Sequence, residues 1–156
     1  MNMDINQRAR DITQKTIYIT IATACEDGSP WNTPVYAAFD DQYNFFWIST
    51  PAAQHSKNIE RDSRIFVVVF DSSQAEGTGE GVYMQGKAFV LEDPEEIVHA
   101  IPFYYDRVNK PHQDPKEFLG ESPRRLYAFV PEQCWMNTDV KVGAFHVDGR
   151  KAIRLK

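Results

Sequence analysis

Apolar residues change their period several times along the chain, and each change marks an element. Ile5, Ala9 and Ile12 fall at helical spacing, which predicts a short amphipathic helix packed on one side of the domain. From Thr16 to Ala24 the period becomes two. Ile17, Ile19 and Ile21 alternate there with Tyr18, Thr20 and Ala22, a strand pattern rich in β-branched side chains. Glu26-Asp27-Gly28-Ser29 supplies a turn in which Gly28 is free to take positive φ. A second strand is expected over Trp31–Phe39 and, after the Asp40-Asp41-Gln42 turn, a third over Phe45–Ser49. Three strands joined by short loops predict an antiparallel meander.

Pro51 interrupts this pattern, and Ala53–Arg61 reads as a short helix with Ile59 as its apolar contact. Ile65–Phe70 is apolar at every position, which predicts a strand covered on both faces. Asp71–Gly81 reads as a long mobile loop, and Val82–Leu91 as a strand in which Gly86 marks a bulge or a close backbone approach. Asp93-Pro94-Glu95-Glu96 is a strong helix start, with Asp93 as cap and Pro94 at the first helical position. The stripe Ile97, Ala100, Ile101, Tyr104 and Tyr105 follows, and Pro102 is expected to kink the helix or make its second half irregular. Asn109–Pro123 reads as a connecting loop. Arg125–Val130 and Cys134–Asn137 are expected to be strands, and Asp148-Gly149 to tighten a last hairpin into Arg150–Lys156. The prediction is a mainly β chain (α+β by count) of six to eight strands with two or three small helices. It forms one antiparallel barrel domain over residues 1–156.

Composition narrows the function. Apolar residues make up 42% and charged residues 25% of the chain, so it can bury a core. Seventeen basic against 22 acidic residues give a net charge of −5 with no basic block, which argues against a nucleic-acid partner held through phosphates. Apolar runs such as Ile65–Phe70 are far short of the roughly 20 residues that span a bilayer, so no membrane segment is expected. MNMDINQRARD has no apolar signal core. Cys25 and Cys134 form no disulfide scaffold and no zinc spacing, which predicts a cytoplasmic protein with free thiols and no metal site.

No hydrolase nucleophile elbow, GxxxxGK[ST] loop or GxGxxG is present, and the glycine-rich Gly77–Gly81 reads only as a flexible loop. The informative segment is FFWISTPAAQHSKNIERD, residues 45–62. A helix N-terminus offers unpaired amides and partial positive charge, which suit a phosphate. Around this one lie Ser49, Thr50, Gln54, His55 and Lys57. A capped surface helix with solvated polar residues explains the same pattern. Pro34 in mid-strand cannot donate to a ladder, which suggests an edge or a break in pairing.

In order, these pieces resemble the pyridoxamine 5′-phosphate oxidase-like flavoproteins, the FMN-binding split barrels. The resemblance is carried by TIATACEDGSP, WNTPVYAAFDD, FFWISTPAAQHSKNI, RIFVVVFD and VYMQGKAFVLED. It covers about residues 13–93 well and 125–156 in outline. No one motif is specific; the ordered set with matching gaps is what matches. The resemblance implies a split β-barrel, FMN as cofactor, and a small-molecule substrate or electron donor. It also implies a homodimer with the flavin site at the subunit interface.

Its site residues carry over position by position. Gln54 and His55 fall on the basic pair that grips the flavin phosphate, Ser49 on a hydroxyl residue facing it, and Thr33 on an arginine. The pocket therefore holds less fixed charge than the family's strongest phosphate clamps, and His55, Lys57 and the helix amides are left to compensate. Ile48 and Thr50 belong to the same strand-to-helix segment, and Asn58 reads as a loop-fixing residue. The backbone of Thr33, Pro34 and Val35 falls along the pyrimidine edge of the ring. Trp135 in PEQCW resembles a late tryptophan contributed across the dimer. Phe66, Val68, Phe70, Met84 and Trp135 are more large apolar groups than one small barrel holds, which also predicts a dimer.

The vitamer oxidases hold their anionic substrate with an Arg-x-His pair and a second arginine. Those places are taken here by Lys141, Gly143 and Phe145. Charge-assisted hydrogen bonds are the strong ones, so an efficient pyridoxamine phosphate oxidase is not expected. The leading expectation is an FMN-dependent oxidoreductase of unassigned substrate. The alternatives are a haem-binding or electron-carrier split barrel, with His55 as the candidate ligand, and a deazaflavin-dependent reductase.

Overall fold

A computed structural model describes residues 4–156; residues 1–3, within the stretch read as lacking a signal core, lie outside the described residues. The helices are α1 (Ile5–Lys15), α2 (Gln54–Arg61) and α3 (Pro94–Arg107). The strands are β1 (Tyr18–Ala24), β2 (Pro30–Tyr36), β3 (Ala38–Phe39), β4 (Phe45–Ser49), β5 (Arg64–Phe70), β6 (Gly81–Val90), β7 (Arg125–Val142) and β8 (Phe145–Ala152). None of the described helices is long and apolar enough to cross a membrane.

Every ladder is antiparallel, in the order β2-β1-β5-β6-β7-β4-β3, with β8 added to β7. The two ends of that order, β2 and β3, are joined in the chain by Ala37 alone, so the sheet curls back on itself into a barrel. The fold is a mainly β split barrel, as the sequence predicts. The meander is only half formed. The predicted second strand breaks at Ala37: its first part pairs with β1 and its last two residues with β4. β4 then runs against β7 from Phe45–Phe129 to Ser49–Arg125. The turn between β3 and β4 is held by the buried Asp40 carboxylate, which accepts bonds from the Gln42 and Asn44 amides, the Asn44 side chain and His99. Burial pushes this carboxyl up, but those hydrogen bonds outweigh it and hold it below the ordinary value.

Two cores share the sheet. Inside the barrel, Ile19, Ile21, Val67, Val69, Val82, Met84, Phe129 and Met136 pack with Trp47 and Tyr127, and Ala9 of α1 and Ile59 of α2 join them. On the far face of β4 and β7, α3 sets Ile97, Ala100, Ile101 and Tyr105 against Phe46, Leu126 and Ala128, with Phe118 of a 3-10 turn at Pro115–Phe118. Asp93 caps α3 by accepting the Glu95 amide at 2.8 Å.

Four expectations need correction. Ile65–Phe70 is covered on one face only: Ile65, Val67 and Val69 are buried, whereas Phe66 and Phe70 are 37% and 46% exposed. Met84 belongs to the interior and not to the outer face. α3 runs through Pro102 to Arg107 without an irregular second half; the carbonyl that Pro102 leaves unbonded belongs to the solvent-exposed Val98, where water can serve it. The two expected late strands are one, β7, and the hairpin turns at Gly143-Ala144, with Asp148-Gly149 inside β8. A glycine with positive φ at the first of two turn residues suits a hairpin's twist, and Gly143 has φ 61°.

Gly86 is the predicted bulge: the β6–β7 register shifts between Gln85 and Gly86. A Cβ there would stand 2.1 Å from the Val130 carbonyl oxygen. Gly86→Ala is therefore expected to destabilise the chain by about 1–3 kcal/mol through forced backbone displacement. Urea unfolding checks this, and a loss within about 0.5 kcal/mol, as for a surface substitution, would contradict it.

Candidate functional site

The ladder between β3 and β4 stops after Ala38–Phe46. Continuing its register would set Tyr36 beside Ile48, Val35 beside Ser49 and Pro34 beside Thr50, but no ladder forms there among the described residues. β2 is thus paired on one side only, to β1, and Pro34 lies exposed on this edge, as its missing N–H requires. Thr33 is half-buried and Val35 buried. The seam between β2 and β4 is the split in the barrel, and the chain leaves β4 at its rim to begin α2.

α2 starts without a side-chain cap: Ala53 stands at the N-cap position, where hydroxyl and carboxamide residues normally satisfy the first amides. The amides of Gln54, His55 and Ser56 therefore suit an external acceptor. The helix is held from its other side. Asn58, 2% exposed, donates from Nδ2 to Thr23 Oγ1 at 2.9 Å and accepts at Oδ1 from Gln54 Nε2 at 2.9 Å. Arg61 donates to the Ala24 carbonyl. Asn58 thus ties α2 to β1, and the Gln54 side chain is spent on positioning it.

Ser49, at the end of β4, and His55, in the first turn of α2, meet at 2.8 Å between Oγ and Nε2. Ser56 adds a third polar group, 3.5 Å from Ser49 Oγ and hydrogen-bonded with Tyr127. His55 is only 8% exposed, and burial pushes its imidazole below the ordinary value. It is a neutral donor or acceptor at neutral pH and not the cation the sequence suggests. Lys57 is exposed on the solvent side of α2. Thr50 is exposed, its hydroxyl accepting the Ala52 amide at 3.3 Å. Ile48 is half-buried against the α3 core. The cluster fits a phosphate through hydroxyls and amides, with no permanent positive charge among its members.

Trp135 stands apart from this cluster. It lies on the outer face of β7, opposite Tyr83 and stacked on Phe66 with ring centroids 6.4 Å apart. Ser56, Thr23 and Tyr127 are the residues that sequence reasoning missed. Ser56 lies beside His55 in QHSKNI and had a local signal. Thr23 and Tyr127 arrive by strand pairing, which no local pattern announces. Of the histidines outside the site, His99 is bonded to Asp40, His112 to Asp106 and His146 to Asp139.

The depressed His55 imidazole makes stability depend on pH. The unfolded chain, with its ordinary value near 6.5, takes up a proton before the folded chain does, so stability is fullest above about pH 6.5 and falls as the pH drops below it. Urea unfolding at pH 7.5 and 5.5 is expected to show a smaller acid loss for His55→Gln than for the parent chain. Equal losses would contradict the assignment.

The Pyridoxamine 5′-phosphate oxidase family model matches residues 5–137. Among solved structures, a haem-binding protein from Mycobacterium smegmatis superposes with a TM-score of 0.71 at 18% identity, over 96% of this chain and 59% of that one. HutZ, the haem storage protein of Vibrio cholerae, gives 0.69 at 16% identity, over 84% and 92%. An F420 reductase gives 0.58 at 18% identity, over 80% and 94%. These likenesses speak for the fold alone. No curated protein matches the chain in sequence. The family match extends from α1 into β7, through every element that builds the seam, and the chain belongs to the pyridoxamine 5′-phosphate oxidase family.

Proposed function

We propose that the chain is an FMN-binding flavoprotein and acts as an FMN-dependent oxidoreductase on a small-molecule substrate or electron donor. The observation that carries this reading is the uncapped start of α2, flanked by Ser49, His55 and Ser56 and set beside the unpaired edge of β2. The bound flavin supplies the electron chemistry. The chain's part is to hold and shield it. The first-turn amides of α2 and the Ser49 hydroxyl grip the phosphate, with Thr50 and Lys57 at the rim. Backbone groups of Thr33, Pro34 and Val35 run along the pyrimidine edge of the ring, and Ile48 gives it an apolar neighbour. Gln54 and Asn58 keep α2 in position.

The outer face of β5–β7 supports a symmetric homodimer. Phe66 and Phe70 are exposed there and Trp135 half-buried, and covering them by a second copy removes apolar area from water. Trp135 then serves the flavin site across the interface and not in its own protomer. Two half-buried thiols outside any disulfide, Cys25 and Cys134, fit a reducing cytoplasmic setting. Lys141, Gly143 and Phe145 lie in the exposed β7–β8 hairpin, where the second and third bring no charge to an anionic substrate.

A second reading, haem binding, takes its support from the two haem proteins among the structural neighbours. Against it, the candidate ligand His55 is 8% exposed and tied to Ser49 through Nε2, which leaves little room for a metal at the ring. The F420 reductase supports a deazaflavin in the same seam as a variant of the leading reading.

The purified protein is expected to be yellow, with flavin absorption bands. Added FMN is expected to raise the melting temperature in a concentration-dependent way. Sedimentation is expected to give twice 18.0 kDa, and pyridoxamine 5′-phosphate to be turned over at trace rates only. A Soret band would favour haem. A colourless monomer that FMN does not stabilise would contradict the proposal.

A further inference from the structure

A dianionic phosphate taken out of water needs positive charge or many donors beside it. Two arginines on or close to α2 in the fold are committed elsewhere. Arg61 donates to the Ala24 carbonyl, and Arg125, opposite Ser49 in the ladder, donates to the carbonyls of Ser122, Arg124 and Gly120. Lys57 is exposed at the rim, where water screens its charge, and Lys87 of β6 faces Glu132 at 3.8 Å. β2 carries no charged residue between Pro30 and Tyr36. Within the cluster, the one side chain able to gain a positive charge near neutral pH is His55.

The placement of His55 suits that change. The ring is 8% exposed and its Nε2 is joined to Ser49 Oγ at 2.8 Å. Among the described residues, Nδ1 has no hydrogen-bond partner. One ring nitrogen is therefore held by the protein and the other remains for an incoming acceptor, at a helix start that has no side-chain cap. In the free chain, burial keeps the ring neutral. A phosphate dianion at this spot reverses the balance, because an opposite charge at close range favours the charged imidazole over the neutral one.

We infer that FMN enters this site together with one proton: its dianionic phosphate monoester converts His55 from imidazole to imidazolium. The proton comes from solvent and no covalent bond changes. The inference rests on the flavin reading above and adds to it how the site obtains its positive charge. His55 becomes the specificity-determining residue for a phosphorylated flavin over riboflavin, since only the phosphate calls up the charge. Other titratable groups on the elements around α2 include Tyr18 of β1, Tyr36 of β2, Tyr83 and Lys87 of β6, Arg125, Tyr127, Glu132, Cys134, Asp139 and Lys141 of β7, and Cys25 after β1. Lys57, Glu60 and Arg61 lie on α2 itself. In the free chain burial disfavours the charged ring, and Ser49 is its hydrogen-bond partner.

The test is isothermal titration calorimetry of the full chain with FMN at pH 8.0, in two buffers of different ionisation enthalpy. At that pH the phosphate, with a second pKa of about 6, is already dianionic. The buffer dependence of the heat then counts protons bound by the protein. About one proton taken up per FMN is expected, together with an affinity that weakens toward tenfold per pH unit between pH 7 and 9. Riboflavin is expected to bind more weakly and without uptake, and His55→Gln to bind FMN without uptake. FMN binding with no proton uptake would overturn the inference while leaving the flavin reading intact, as would uptake unchanged in His55→Gln. A chain that shows no FMN binding overturns the flavin reading, and this inference with it.

Discussion

The sheet is closed by a covalent link and not by hydrogen bonds. Ala37 carries the chain from one end of the strand order to the other, and the β3–β4 ladder that continues it is two pairs long. Past those pairs, β2 and β4 flank a seam in which backbone groups have no strand to bond. An unpaired sheet edge in a small barrel is ordinarily a hazard, because it invites another chain. Here the seam lies under the start of a helix that itself lacks a cap. Two sets of unpaired backbone donors, one from an edge strand and one from a helix, therefore share one place in the fold.

That arrangement holds only if α2 stays where it is. Its eight residues are too few to be stable alone in water, so tertiary contacts must fix it. Ile59 is buried in the barrel core, Asn58 reaches Thr23 of β1, and Arg61 reaches the end of β1. Ser49 and His55 then tie the helix to the strand that precedes it. The polar groups of α2 thus do two jobs: those facing β1 anchor the helix, and those facing β4 shape the candidate site. The same packing explains the missing charge. A lysine or arginine at position 55 would have to be desolvated as deeply as the imidazole, whereas a histidine can be buried neutral.

The sequence reveals the elements well and their partners poorly. Alternating isoleucines marked β1, the Asp93-Pro94 start marked α3, and Gly86 marked the bulge, because each depends on neighbours in the chain. The break at Ala37 was hidden, since Val35, Ala37 and Phe39 continue an unbroken alternation and only closure of the barrel decides where the pairing changes hands. Phe66 and Phe70 read as buried because every residue around them is apolar; their exposure is a property of the sheet's outer face. At the site, Ser49, His55 and Asn58 were legible from one segment; Ser49 and His55 meet, while Asn58 turns to β1 and anchors the helix. Thr23 and Tyr127 were not, because they are brought in from strands more than 30 and 70 positions away. The charge state of His55 is likewise a consequence of burial, which residue type alone does not show.

A crystal structure of the chain grown with FMN tests the account most directly. It should place the phosphate within about 2.7–3.2 Å of Ser49 Oγ, His55 Nδ1 and the first-turn amides of α2, with the ring along the edge of β2. A flavin bound elsewhere, or that position filled by the protein's own side chains while FMN is in excess, would contradict it.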